Sequence, residues 1–304
     1  MSKVTVVGCG AVGVSIATNL IIQGLCSELV IYDLDKDKLK GEVYDMQHGG
    51  NFHSTRVIAA ESWTDTFNSQ LCIITAGVRQ KPNESRLNLL HRNVLVMKSI
   101  VPDFVKYSPD SVLMVVSNPC DIMTRVVHSL SGFPEYRVFG SGTFLDTSRL
   151  RSVIGYKLHI NPSRVHVNII GEHGDSSVPC FSTGIIGGKK VTDWLNKKEL
   201  DEMHVDVVKA AYNVIQLKGC TNSAIGFASA QIAKGVLYDK KYIIPLSVNI
   251  KGHYGIDHDC FLSLPCVIGK RGIDRIIDID LDEEEVMKLH KSAENVDVDL
   301  EEVL

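Results

Sequence analysis

Between residue 4 and about residue 140 the chain alternates two hydrophobic patterns. Short β-branched runs, apolar on both faces, stand at Val4–Val7, Leu29–Tyr32, Arg56–Ala59, Leu71–Thr75, Val112–Ser117 and Val138–Gly140. Apolar positions recur with helical spacing between them, at Ala11–Gln23, Lys36–Met46, Leu87–Tyr107 and Asp121–Leu130. A strand apolar on both faces needs cover on both, and intervening helices supply it, so the pattern predicts a doubly wound parallel sheet. Past about residue 145 the alternation is lost. Helices are predicted at Asp146–Ile154, Leu200–Leu217 and Ala224–Leu237. Strands are predicted at Val165–Ile170, Val178–Ile186, Ile243–Ile250 and Phe261–Ile268, the last two flanking a turn at Gly255-Ile256-Asp257. A last helix is expected from Asp282, where Glu285 three residues on makes a capping box, and the acidic end from Asp297 to Glu302 reads as a solvated tail. The fold class is therefore α/β, a doubly wound domain over residues 1–143 followed by a packed α+β domain over residues 144–304.

Composition narrows the classes of function. A chain of 304 residues, 44% hydrophobic and 22% charged, has the make-up of a globular protein with a substantial core. Its net charge of -4 gives no electrostatic case for nucleic acid or an anionic membrane as the main partner. The expectation is a cytoplasmic protein: Met1-Ser2-Lys3 leads straight into an apolar strand without leader features, and no apolar run is long enough to span a bilayer. The eight cysteines are scattered with no C-x-x-C pair, which fits buried thiols in a reducing compartment rather than a disulfide framework. In such a compartment the Asn83-Glu84-Ser85 sequon is without consequence.

The segment Gly8-Cys9-Gly10-Ala11-Val12-Gly13 follows a strand and opens a helix. Gly8 permits the tight turn, Gly10 lets the backbone approach a pyrophosphate, and Gly13 lets helix pack on strand. The helix N-terminus adds free N–H groups and a positive dipole end. A lone G-x-G-x-x-G is often no more than a turn. Here Asp33 stands at the end of the second strand, twenty residues past Gly13, where an acid meets ribose hydroxyls. An acid at that position favours NAD, because the 2′-phosphate of NADP would be repelled.

Four further segments carry polar groups that a plain fold does not need. His173 lies in Gly171-Glu172-His173-Gly174-Asp175 after a strand; alone it reads as a surface or satisfied core histidine. Asp146 and Arg149 are three apart on a helix, hence on one face, as in many surface ion pairs. Ser117-Asn118-Pro119 ends a strand at the edge where open α/β sheets bind ligands, although it also reads as a helix cap. The stretch from Thr75-Ala76-Gly77 through Arg79 and Gln80 to Arg86 reads, taken singly, as a basic connecting loop.

Taken together, GCGAVG, DLDKDKLKGEVYDMQHG, TAGVRQKPNESR, VSNPCDI, SGTFLDTSRLR, IIGEHGDSSVP, KGCTNSAIG and KGHYGIDHDCFLSLPCVIG resemble the L-lactate/malate dehydrogenase family, from Val4 to about Ile279. The resemblance implies a Rossmann domain binding NAD and a catalytic domain acting on a small 2-oxo or 2-hydroxy acid. It makes His173 the proton donor and acceptor, Asp146 its carboxylate partner and Arg86 the group that polarises the carbonyl from a mobile loop. Arg149 would hold the substrate carboxylate, Asn118 would bond near the reacting oxygen, Thr221 would line the pocket and Ile225 would pack on the nicotinamide. Thr75, Ala76, Gly77, Arg79, Ser117 and Asn118 join Gly8, Gly10, Ala11, Val12, Gly13 and Asp33 at the cofactor.

Gln80 falls where malate-type members have Arg and lactate-type members have Gln, which implies pyruvate and lactate as the substrates, with glycolysis as the setting. The alternatives are malate and oxaloacetate, with Arg79 serving the second carboxylate, or a non-catalytic relative. The likeness further implies a homo-oligomer, a tetramer or a dimer. The chain departs from the family at Asn83 in the mobile loop, at Ser223 where many animal forms have Trp, and in lacking an N-terminal arm. Arg151 and His166 match an intersubunit anion site of bacterial relatives, read here as structural or as a passive anion site. His253 and His258 flank a hairpin with no third ligand for a metal.

Overall fold

The computed structural model describes residues 2–78 and 86–301, excluding the side chains of Arg86 and residues 297–301. The first half builds β1 (Lys3–Val7), α1 (Ala11–Ile22), β2 (Glu28–Tyr32), α2 (Lys36–His48), β3 (Arg56–Ala59), β4 (Leu71–Ile74), α3 (Arg86–Tyr107), β5 (Val112–Val115), α4 (Cys120–Ser131) and β6 (Val138–Gly140). All six strands pair in parallel, in the order β6-β5-β4-β1-β2-β3. The chain runs outward from β1 through β2 to β3, then returns to place β4 on the other side of β1. The carboxyl ends of β1 and β4 therefore flank the point where the winding reverses, the position at which such sheets bind ligands. Val4, Val6, Leu29, Leu71, Ile73, Leu113 and Met114 are each fully buried, as strands covered on both faces require.

The second half continues with α5 (Phe144–Leu158), β7 (Val165–His166), β8 (Ile169–Ile170), β9 (Val178–Pro179), β10 (Ile185–Ile186), β11 (Lys189–Lys190), α6 (Lys197–Lys218) and α7 (Ser223–Leu237). It closes with β12 (Tyr242–Asn249), β13 (Phe261–Gly269), β14 (Gly272–Ile276) and α8 (Glu283–Glu301). The antiparallel run β12-β13-β14 joins β6 at the edge of the first-half sheet, giving nine strands in one sheet. A separate small core of Leu150, Ile154, Val165, Val167, Ile169, Ile186 and Leu200 fills the space between α5, α6 and the short strands.

Two expectations are corrected. The strand expected over Val165–Ile170 is two short pieces, because β7 pairs with β10 whereas β8 turns to pair with β9. The strand expected over Val178–Ile186 is likewise broken, at Ser182, whose N–H and hydroxyl are taken by Glu285 of α8. The backbone of the acidic end continues α8 through Glu301. The capping box at Asp282 forms as expected: Glu285 N donates to Asp282 Oδ1 at 2.8 Å and Asp282 N to Glu285 Oε2 at 3.1 Å. Strand β14, too polar on one face to stand out, went unpredicted.

Candidate active site

The glycine loop leaves β1 with Gly8 at φ +108°, a conformation few other residues adopt. A Cβ on Gly8 would meet Thr75 Oγ1 at 2.5 Å, and one on Gly13 would meet Gly8 O at 1.8 Å. These two glycines thus let β1, α1 and the end of β4 close on one another. A Cβ on Gly10 would meet nothing within 4 Å. The loop is crowded behind and open in front, which suits a cradle for a pyrophosphate lying against bare backbone. Ala11 and Val12 follow as the first turn of α1, where the unpaired helical N–H groups are found.

Asp33, just past β2, accepts Cys9 N at 2.5 Å and Asp35 N at 2.9 Å. Its carboxylate is thereby fixed beside the loop, where it would face a ribose. Thr75 donates from Oγ1 to Val7 O and Gly8 O, both at 3.1 Å, tying β4 to the loop. Ser117 Oγ donates to Ala76 O at 2.6 Å, and Gly77 lies open to solvent beside it.

The second cluster grows from β6, α5 and β8. Gly142, at positive φ, turns the chain from β6 into α5, and a Cβ there would strike Ser263 Oγ at 2.4 Å. Ser263 of β13 holds both arms of the site. Its hydroxyl accepts Thr143 N at 3.0 Å, while its backbone exchanges two 2.9 Å bonds with Gly171. Asp146 in the first turn of α5 therefore meets His173, two residues past Gly171. The Nδ1 of His173 lies 2.5 Å from Asp146 Oδ2, and Arg149 Nη1 donates to Asp146 Oδ1 at 2.7 Å.

The side chains of His173, Arg149 and Asp146 are 24%, 19% and 10% exposed, so solvent reaches the histidine and arginine from one side only. The Asp146 charge raises the His173 pKa well above its usual 6.5, against the opposing effect of burial. Burial alone would raise the Asp146 pKa, but His173 and Arg149 outweigh it and hold the carboxyl below its ordinary range. The result is an imidazolium with one nitrogen anchored. Among the described residues no group bonds Nε2.

His173, Asp146 and Arg149 are thus brought together, as are Gly8, Gly13, Thr75 and Asp33. Asn118 is exposed at the end of β5, and Thr221 and Ile225 lie half-buried at the start of α7, which packs on α1. Gln80, Arg79 and Asn83 lie outside the described residues, as does the Arg86 side chain. Arg151 donates to Val167 O at 3.0 Å and to Asn168 Oδ1 at 2.9 Å, while His166 is exposed. His253 pairs with Asp278 at 2.7 Å. No group of three candidate metal ligands occurs among the described residues, and no helix among them is long and apolar enough to cross a membrane.

Sequence reasoning missed several residues that support the site. Asn93 of α3 accepts Val78 N at 2.8 Å and donates to Asn118 O at 3.3 Å, stapling two cofactor-side loops together. Ser292 of α8 accepts Glu172 N at 2.7 Å. Asp121 of α4 accepts His173 N at 2.7 Å. Their signal was faint, because each is a polar residue whose partner lies far along the chain.

Comparison with known proteins gives the same picture. The family model for the NAD binding domain of lactate/malate dehydrogenase matches residues 2–140, and that for its alpha/beta C-terminal domain matches residues 143–304. The L-lactate dehydrogenase A chain of Champsocephalus gunnari is 46% identical over 303 residues, covering 97% of this chain and 91% of that one. The A chain of Parachaenichthys charcoti is 45% identical over the same span. A crystal structure of a lactate dehydrogenase from a Medee basin deep-sea metagenome library superposes with a TM-score of 0.96. It is 36% identical and covers 99% of this chain and 98% of its own.

Proposed function

Because the chain belongs to the lactate/malate dehydrogenase family, and is an NAD-dependent oxidoreductase of the L-lactate dehydrogenase type, we propose that His173, Asp146 and Arg149 carry its reversible conversion of pyruvate to L-lactate. One observation carries the assignment: a single buried carboxylate grips the imidazole at 2.5 Å and the guanidinium at 2.7 Å, at the edge where the chain presents its cofactor cradle. NADH, when bound, supplies the hydride that reduces C2 of the 2-oxo acid.

Hydride delivery to carbon leaves charge on oxygen, and His173 gives that oxygen its proton from Nε2. Asp146 keeps the proton available by favouring the imidazolium and fixes the ring through Nδ1. Arg149, with Nη1 engaged by Asp146, turns the rest of its fork to the substrate carboxylate and so orients C2. Arg86 stabilises the developing oxyanion, and Asn118 bonds near it. Thr221 and Ile225 line the substrate and nicotinamide side. In the reverse direction neutral His173 accepts the lactate hydroxyl proton.

Gln80 supports pyruvate over oxaloacetate, since a second carboxylate enclosed beside it would be unpaired. A buried unpaired charge costs several kcal/mol, which at about 1.4 kcal/mol per decade is orders of magnitude in preference. A steady-state panel of 2-oxo acids with NADH tests this. Pyruvate should exceed oxaloacetate in kcat/KM by at least about a hundredfold, and a preference for oxaloacetate would overturn the Gln80 reading.

The proposal extends to a cytoplasmic homo-oligomer, a tetramer or a dimer. Support comes from large apolar side chains left exposed on three helices, among them Tyr44 of α2, Tyr212 and Leu217 of α6, and Phe227 of α7. Residue 143 is taken as the boundary between the cofactor and catalytic domains, supported by the turn at Gly142 that opens α5.

A further inference from the structure

Asp121 lies in the first turn of α4, where a carboxylate ordinarily stays at the surface and faces its own helix terminus. Here it is only 3% exposed and reaches across 52 residues of sequence to accept His173 N at 2.7 Å through Oδ2. Its other oxygen forms no well-made hydrogen bond among the described residues, nor does the hydroxyl of Ser247, the nearby group on β12 that helps hold its charge. A buried carboxylate with one good partner is an expensive group to keep. Among the described residues its well-made bond is to the main chain of the histidine proposed to move the proton.

We infer that Asp121 is a positioning residue for His173, holding its main-chain amide while presenting a second negative charge to the imidazole that Asp146 grips. The inference rests on the proton-transfer role proposed above. Four of the charges around it pair two against two. Asp146 and Arg149 face the cluster from α5, Glu172 from the histidine's own loop, and Cys120 from α4, with neutral Ser247 on β12. Asp121 and Asp146 are the anions paired against His173 and Arg149 as cations. Deprotonating the imidazole leaves that quartet with a net negative charge, so Asp121 opposes loss of the proton. Burial lifts the Asp121 carboxyl to about 6, leaving it mostly ionised at neutral pH and protonated in mild acid. Its hydrogen bond also fixes the loop that sets where Nε2 points.

The test uses the full chain with Asp121→Asn and Asp121→Ala. Three quantities are read: kcat and KM for pyruvate across pH, NADH affinity by fluorescence, and the His173 titration by NMR. Asparagine can still accept the His173 amide but carries no charge, whereas alanine removes both. The alanine variant should lose about tenfold to a hundredfold in kcat, as for removal of a charge-assisted hydrogen bond, with NADH affinity within about threefold. Asparagine should recover a large part of that loss. In both variants the His173 titration, and with it the alkaline rise in pyruvate KM, should move to lower pH.

Turnover within twofold of the parent in the alanine variant, or a His173 titration unmoved in either, overturns the inference. Should the alanine variant fail to fold, the titration of the asparagine variant decides. If the parent protein itself reduces no pyruvate, the catalytic reading is what fails, and the NMR titration still tests the contact between Asp121 and His173.

Discussion

Asp146 divides its oxygens between His173 Nδ1 and Arg149 Nη1, and this division sets the charge of the imidazole. Because the His173 pKa stands above 6.5, the donor form persists through neutral pH. The sign follows directly. Pyruvate reduction needs the protonated ring, so kcat/KM should stay flat through pH 7 and fall about tenfold per unit beyond the raised pKa. Lactate oxidation needs the neutral ring and should rise over the same interval. In Asp146→Asn the alkaline edge for pyruvate should move down by at least about one unit, equivalent to about 1.4 kcal/mol of lost preference for the charged ring. An unmoved edge would remove Asp146 from the account. At this scale the sequence displayed the residue types but not their partners. The i, i+3 spacing of Asp146 and Arg149 foretold a shared face, whereas Asp121, Ser263 and Ser292 gave no periodic signal because each contacts residues far along the chain.

Helix α7 serves the cofactor side by its packing on α1 as well as by the residue it presents, Ile225. Gly226 lies against α1, and a Cβ there would meet Ser15 Oγ at 2.2 Å and backbone of Ser15 at 3.1 Å. The close approach of α7 seats the helix whose N-terminus completes the glycine loop. Gly226→Val should therefore push α1 away. Overpacking of this kind costs about 1–3 kcal/mol, so the thermal midpoint should fall and NADH should bind several-fold more weakly. An unchanged midpoint with NADH affinity within twofold would show that the contact is slack. Elements with strong periodicity were readable in advance, including α1 to α4 and the β12–β13 hairpin. The short strands β7 to β10 were not, because their breaks are imposed by distant partners such as Glu285 rather than by local sequence.

At the scale of the molecule, one nine-stranded sheet unites two jobs. The proposed cofactor cradle is built from β1, β2 and β4 in its parallel part, and the proposed proton-transfer pair is carried by α5 and the loop after β8 and braced by β13. Alternation of strand and helix made the parallel part legible. Its union with the β12-β13-β14 run was not, since nothing local says which edge a hairpin will join. The arrangement makes the two jobs separable, and His173→Asn tests that directly. The account predicts NADH affinity within about threefold of the parent, while pyruvate turnover falls by about two to four orders of magnitude, the usual worth of a positioned acid. Turnover retained within tenfold, with the fold intact, would contradict His173 as the group that moves the proton.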